Sequence, residues 1–441
     1  MTPKTCSVDQ FNDKPSRAGS RSHRAAALVL PALLAACSKG APAPGGQLVQ
    51  VSVPRASAAQ VPAADLQTQS QDDATFAFAL YAQLSPTPGN LFFSPYSVSS
   101  ALAMTWAGAE GDTATAISSA LDFSMPVARV GAAFNALDAA FTSRAQAGSG
   151  AEGGPFQLEV SNALWAQTGM QLETPFLDTL ASDYGAGVHL EPFATTPDTA
   201  RTDINSWVSD NTDGRIPELL GPGTITQNTL FVLTNAVYFS GAWATPFPKS
   251  ATGAATFHAL DGTTPSVQLM NVGIESKAWQ GNGYTVAEIP YSNPDLTLTL
   301  IVPDAGQFAA IESQLDSNFF NQAVAAEVPA QLALGLPKFT AKTQASLKTP
   351  LSNLGMGAAF ATGADFSGID GAHDILIGDV IHQANVSVDE DGTEAAAATA
   401  VVGVGAALLP TLTLTVDRPF ILALRDLPTG SIVFLGRIVS P

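Results

Sequence analysis

From residue 66 onward the chain switches between two hydrophobic periods. DDATFAFALYAQL sets Phe76, Leu80 and Leu84 four apart behind Asp72 and Asp73, which predicts an amphipathic helix capped by the aspartates. NLFFSPYSVSSALAMTWAGAEG opens with a short apolar strand ending at Ser94. Pro95, with a fixed φ and no N–H, suits the first turn of a helix running through Met104 and Trp106. INSWVSDNTDGRI reads as a helix closed by Gly214, whereas TLFVLTNAVYFSGAW and LTLTLIVP are β-branched runs that predict buried strands. LTLTVDRPFILAL and GSIVFLGRIV predict two more strands joined by a turn at Pro428 to Gly430. No internal repeat and no linker divides residues 66 to 441, which read as one folded domain.

The first 65 residues have a different pattern. Arg17, Arg21 and Arg24 precede an apolar run from Ala25 to Ala36 that is too short to span a bilayer, so residues 1–36 read as an export signal. The run ends in LAAC, Leu34 to Cys37, which resembles the bacterial lipobox. That resemblance implies acylation of Cys37 and a lipid anchor in a membrane, while a chance Ala-Ala-Cys in an ordinary signal peptide is the alternative. Residues 37–65, rich in Ala, Pro, Gly and Gln, read as an extended tether. The expected location is therefore exported: anchored at the cell surface or periplasm, or secreted.

Composition narrows the function. Hydrophobic residues make up 46% of the chain and charged residues 13%, enough to build a large core. A net charge of −19 repels phosphate backbones, which argues against a nucleic-acid partner. Cys6 and Cys37 are the two cysteines, so nothing further along can form a disulfide or a thiolate metal site, and no metal or cofactor is expected. No G-x-S-x-G, H-E-x-x-H, Walker A or dinucleotide fingerprint lies in a supporting context, which argues against an enzyme. Of five scattered histidines, His382 stands out because it leads into VDEDGTEAAAATAVVGVGAALLP, residues 388–410. On composition alone EAAAATA is a helical turn or a spacer, since Ala is the best helix former.

Position changes that reading, because ordered motifs flank the stretch. NLFFSPYSV, INSWVSDNTDGRI, TNAVYFSGAWATPF, LPKF at 336–339, LSNLGMGAAF at 351–360, DFSGI at 365–369 and DRPFILALRDLPTGSIVFLGRI follow one another in the order found in the serpins. The chain resembles that family over residues 66–441. The resemblance implies an α+β fold with three β-sheets, about eight to nine helices and an exposed reactive loop, here residues 390–416. It also implies a metastable native state that acts as a suicide substrate: a protease cleaves the loop, and the freed segment enters the central sheet with the acylated enzyme attached. By the same resemblance Glu390, Gly392, Thr393, Glu394, Ala395, Ala396, Ala397, Ala398 and Thr399 form the hinge. Ser94, Ser97, Asn235 and His382 match the shutter beneath the central sheet, and Trp243 matches the breach where insertion starts.

The loop's chemistry suits that role. In a strand Thr393, Ala395, Ala397, Thr399, Val401, Gly403 and Gly405 share the inward face, and all are small and uncharged. Large or charged groups there would overpack or lose water as the slot fills. The usual hinge length in inhibitory members of the family, seventeen residues counted from Glu390, implies a scissile bond between Ala406 and Ala407; counting back from Asp417 points to Leu408 or Leu409. No Arg or Lys lies between Glu390 and Asp417, so the bait suits the small or apolar pockets of elastase- or subtilisin-like serine proteases, with cysteine proteases in the same candidate set. The expected protein is a monomer. The alternatives are a non-inhibitory serpin serving as a binding or chaperone-like module, and a surface lipoprotein of another fold.

Overall fold

The computed structural model describes residues 46–147, 157–373, 375–393 and 409–441, all within one compact unit. The strands in chain order are β1 (Gln47–Val49), β2 (Leu91–Phe93), β3 (Gln157–Gln167), β4 (Val188–Glu191), β5 (Phe231–Ala242), β6 (Gly253–Thr256), β7 (Ser266–Gln280), β8 (Tyr284–Pro290), β9 (Leu296–Pro303), β10 (Val328–Pro337), β11 (Phe339–Ser346), β12 (Val380–Val388), β13 (Gly392–Thr393), β14 (Thr411–Thr415), β15 (Phe420–Asp426) and β16 (Ile432–Ile438). The helices are α1 (Ala63–Leu84), α2 (Pro95–Trp106), α3 (Gly111–Ala120), α4 (Val127–Ala147), α5 (Thr174–Thr179), α6 (Pro197–Asp210), α7 (Phe308–Glu312), α8 (Ser317–Ala325), α9 (Lys348–Asn353) and α10 (Ser367–Asp370).

Two hydrogen-bonded sheets hold these strands. The first runs β1-β4-β3-β5-β13-β12-β11; the second runs β14-β10-β7-β8-β9-β15-β16-β2, with β6 also on β7. The expected three sheets appear as two because β7 serves two neighbourhoods: Leu269–Ala278 pair with β10, and Ala278–Gln280 pair with β8.

β5 explains why its sequence shows no polar alternation, since every one of its residues is buried. On one face lies the main core. On the other lies α6, whose Ala200, Ile204 and Val208, four apart, pack with Ala163, Trp165, Val232, Ala236 and Ile381. The run LTLTVDRPFILAL divides into β14 and β15, because Pro419 has no N–H to continue a ladder.

Two expectations at the N-terminal side are corrected. The tether was expected to run free to residue 65, but from Gly46 the chain lies on the body. β1 pairs antiparallel with the edge strand β4, Ala56 N–H donates to Ser182 O (2.8 Å), and Arg55 bonds Asn135 Oδ1 and Asp138 at 2.7 Å. An open sheet edge offers backbone partners to any extended segment within reach, whatever its composition. Gly46 sits so close over Glu191 that a Cβ there would lie 2.3 Å from Oε1. Asp72 and Asp73, expected as caps, lie inside α1, which begins ten residues earlier at Ala63 because Ala, Gln and Leu extend the helix back to Pro62. Asp72 instead accepts from Ser124 N–H and Oγ (2.9 and 2.8 Å), and Asp73 from Ser99 Oγ (2.6 Å) and Gln69 Nε2 (3.0 Å).

Full burial pushes the Asp73 carboxyl up to about 7, although Ser99 and Gln69 pull it back. The native state therefore holds a proton that the unfolded chain has released, and the stability linked to this group is lost as pH rises from about 4 to about 7. Asp73→Asn keeps an acceptor for Ser99 and cannot ionise. Its urea midpoint is expected to exceed that of the wild type at pH 8, with the gap closing at pH 5.

Candidate functional site

The seam between β5 and β12 is the centre of the site. These strands pair in parallel from Val380↔Leu233 to Asn385↔Tyr238. Higher up, the chain after β12 turns back and β13 wedges in, with Thr393 opposite both Gly241 of β5 and Val388 of β12, antiparallel to each. The seam is thus closed below and occupied by two residues of a new strand above.

A polar row crosses its closed part. Asn162 of β3, Asn235 of β5 and His382 of β12 are in register across adjacent strands. They face the start of α2, where the Ser94 hydroxyl caps the helix by accepting from Ser97 N–H (3.1 Å) and donates to Val433 O (2.7 Å). Ser97 Oγ donates to Asn162 Oδ1 (3.1 Å), Asn162 Nδ2 donates to Ser97 O (3.1 Å), and Asn235 Nδ2 donates to Ser97 Oγ and Asn162 Oδ1. The His382 ring joins the strands to the helix: Nδ1–H donates to Asn235 Oδ1 while Nε2 accepts from Ser94 N–H (3.3 Å). That arrangement requires the neutral ring, since an imidazolium would set two N–H groups against each other. The sequence-predicted shutter residues Ser94, Ser97, Asn235 and His382 therefore meet in one network. Asn162, which the sequence reading missed, completes it.

The top of the seam is held by the breach residue and its neighbours. Trp243 is buried; its backbone N–H donates to Asp391 O (3.1 Å), its indole Nε1 donates to Asp389 O (3.0 Å), and its ring stacks on Tyr291 at 4.6 Å between centroids. Phe247 N–H donates to Glu390 O (2.8 Å), and the Glu390 carboxylate accepts from Lys338 Nζ (2.7 Å) and Thr252 Oγ1 (2.9 Å). Burial alone would raise that carboxyl, but the bonds from Lys338, its own backbone and Thr252 outweigh burial and leave it below its ordinary value. Asp391 pairs with Lys249 at 2.9 Å. Lys338 and Phe247 lie inside the motifs LPKF and TNAVYFSGAWATPF but were given no role from sequence, and Thr252 and Lys249 lie in no motif; chain separation hides the contacts.

Glu390, Gly392 and Thr393 thus lie at the top of the seam, near Trp243. Glu394, Ala395, Ala396, Ala397, Ala398 and Thr399, the scissile candidates Ala406, Ala407 and Leu408, and Cys37 lie outside the described residues. Leu409 is half-buried beside Pro410, whose carbonyl accepts from Gln331 N–H. Among the described residues no group of three or more His, Cys, Asp or Glu could hold a metal ion, and no helix is long and apolar enough to cross a membrane.

A mixed α+β body with a hinge lodged at the mouth of its central sheet defines a class of protein, and comparison gives it a family. The profile of the family described as Serpin (serine protease inhibitor) matches residues 71–441. The chain belongs to the serpin family. It is 36% identical over 366 residues to leukocyte elastase inhibitor of Bos taurus, spanning 80% of this chain and 93% of that one. It is 34% identical over 379 residues to a serpin-like protein of Thermococcus kodakarensis, covering 83% of this chain and 84% of the other. The crystal structure of maspin superposes with a TM-score of 0.78 at 26% identity, covering 86% of this chain and all of that one. Human thyroxine-binding globulin, in a complex with thyroxine, does so with a TM-score of 0.75 at 28% identity, covering 86% and 99%.

Burial lowers the His382 pKa to about 3 from 6.5. Below about pH 6 the unfolded chain takes up a proton that this native ring does not, so stability falls as pH drops through the window from about 6 to about 4. The slope is about 1.4 kcal/mol per pH unit. His382→Gln is expected to be less stable than the wild type at pH 7 yet to lose stability less steeply toward pH 4, measured by urea denaturation across that range.

Proposed function

We propose that the protein inhibits serine endopeptidases as a suicide substrate, trapping the acylated enzyme by inserting its cleaved loop into the seven-stranded sheet. The observation that carries this reading is β13: Gly392 and Thr393 already pair antiparallel with β5, and Thr393 with β12 as well, in the place a new strand would occupy. The names of relatives such as the bovine elastase inhibitor support the same reading.

The register gives the reading a scale. Thr393 lies opposite Gly241, and continuing residue for residue down β5 to its first member, Phe231, would bring residue 403 to the foot of the strand. In that register Ala395, Ala397, Val401 and Gly403 would face the core beside Phe239, Val237, Leu233 and Phe231. Thr399 would come opposite Asn235, placing a hydroxyl in the polar row where Asn235 and His382 part. Ala406 would then follow the foot after two residues, a short leash that draws the acyl bond against the body. Leu408 or Leu409 would leave a slacker one, which favours Ala406–Ala407 as the productive scissile bond. An alanine at that position suits elastase- or subtilisin-like enzymes. The protein would act as an exported monomer held to a membrane through acylated Cys37, a reading supported by the basic and apolar segments before LAAC.

The binding-module reading has one point in its favour, the structural likeness to a hormone-binding globulin. Against it stands a loop of small, uncharged inward residues that suits strand addition.

Mixing the purified protein with elastase- and subtilisin-like proteases is expected to give a denaturant-resistant covalent adduct. Thr393→Arg, which forces a cation into a buried position opposite Gly241, is expected to convert adduct formation into simple cleavage. Cleavage without any adduct by the wild type would instead support the binding-module reading. In addition, nicking the loop with a protease that does not remain bound is expected to raise Tm by tens of degrees. About a dozen new ladder bonds at roughly 0.5–1.5 kcal/mol each add on the order of 10 kcal/mol. An unchanged Tm would count against strand insertion.

A further inference from the structure

The hinge residue Thr393 is buried to 1% exposure, yet its side chain has a polar partner that belongs to neither strand flanking it. Tyr291 lies in the turn between β8 and β9 of the other sheet, and its phenol and the Thr393 hydroxyl share a buried hydrogen bond of 2.8 Å. Local sequence explains how the ring reaches so far. Gly241, the β5 residue opposite Thr393, has no side chain, and a Cβ there would lie 3.0 Å from Phe239 and 3.1 Å from Tyr291. The ring is fixed on three sides: it stacks on Trp243 at 4.6 Å, meets Phe239 edge-on at 5.2 Å, and its backbone bridges to Trp243. Burial pushes the phenol above its ordinary range, so it stays protonated and able to donate.

We propose that Tyr291 is a positioning residue that holds Thr393 docked at the mouth of the seam, so that strand addition starts from a register already set. The first step of insertion would otherwise carry the full entropy cost of ordering the hinge before any ladder bond forms. The bond survives in the inserted state, because Thr393 keeps its place opposite Gly241 as later residues follow. Its effect therefore falls on the docked fraction of the hinge rather than on the final product. The part of this inference that concerns trapping rests on the inhibitor reading; the docking itself does not.

Tyr291→Phe keeps the ring and removes the hydroxyl, and Thr393→Val keeps the shape of the partner. Hydrogen exchange at the hinge amides of Asp391 to Thr393 in the full chain reads the docked fraction directly. Each variant is expected to exchange about fivefold faster, equivalent to about 1 kcal/mol, with the double variant no faster than either single one. Unchanged exchange, or additive effects in the double variant, would overturn the proposal, and Thr393→Val keeps the test open should Tyr291→Phe fold poorly. With an elastase-like protease, both variants are expected to raise the number of inhibitor molecules consumed per enzyme trapped while the rate of attack on the loop stays the same. Faster exchange with unaltered consumption would overturn the role in insertion. If the wild type forms no adduct with any protease while the exchange result holds, the inhibitor reading fails and the latch stands.

Discussion

Everything at the site depends on the pairing of β5 with β12. The two strands run parallel over six registered positions, and parallel pairing is slightly weaker per residue than antiparallel. β13 has already begun the other arrangement, antiparallel to both neighbours. A strand continuing from it would replace one parallel ladder with two antiparallel ones, so the closed seam is the less favourable pairing available to these residues. On the proposed mechanism, what holds it closed is the barrier to separating the strands. The polar row sits on that barrier: the His382–Asn235 bond crosses the seam, and breaking it without a replacement leaves a buried donor and acceptor unpaired.

Two devices therefore act on the same seam in opposite senses. The network of Ser94, Ser97, Asn162, Asn235 and His382 resists opening from below, and the cluster of Trp243, Tyr291, Glu390 and Lys338 fixes the hinge above. Each is assembled from several elements. α2 supplies the serines through its capped start, and the β8–β9 turn supplies Tyr291, so the central sheet is tied to the body by side chains rather than by its own ladder alone. α6 covers the opposite face with apolar residues, including Val208 and Ile204.

Where the sequence was legible, local physics decided the structure. β5 and β9 read as buried strands because both faces are covered, and Pro95 opened its helix because its fixed φ and missing N–H suit the first turn after the Ser94 cap. The family motifs assigned Ser94, Ser97, Asn235 and His382 to the shutter and Trp243 to the breach, and the structure brings the first four into a single hydrogen-bonded network. Illegible were contacts set by register. Asn162 is one of several polar residues in β3, and its alignment with Asn235 and His382 exists once three strands are paired. Tyr291 lies 102 residues before Thr393 in a turn with no motif. The strap from Gly46 was misread because its composition suits a tether, whereas its fate was decided by the open edge of β4. Asp72 and Asp73 were misread for a related reason: an aspartate before an apolar repeat looks like a cap unless the upstream residues also form helix.

The buried titratable groups carry this argument one step further. His382 is held neutral by burial, and both ring nitrogens are committed, one as donor and one as acceptor, so acid works against the network that crosses the closed seam. Asp73 and Glu191 have the opposite sign: burial raises each to about 7, with Asp203 adding repulsion for Glu191, so base works against the folds around them. Asp73 bonds Ser99 on α2, the same helix whose start carries Ser94 and Ser97. The helix that closes the shutter is thus anchored at one end by a ring that tolerates no added proton, and a turn later by a carboxyl that resists losing one. The two groups thus weaken the hold on α2 from opposite sides of the pH scale.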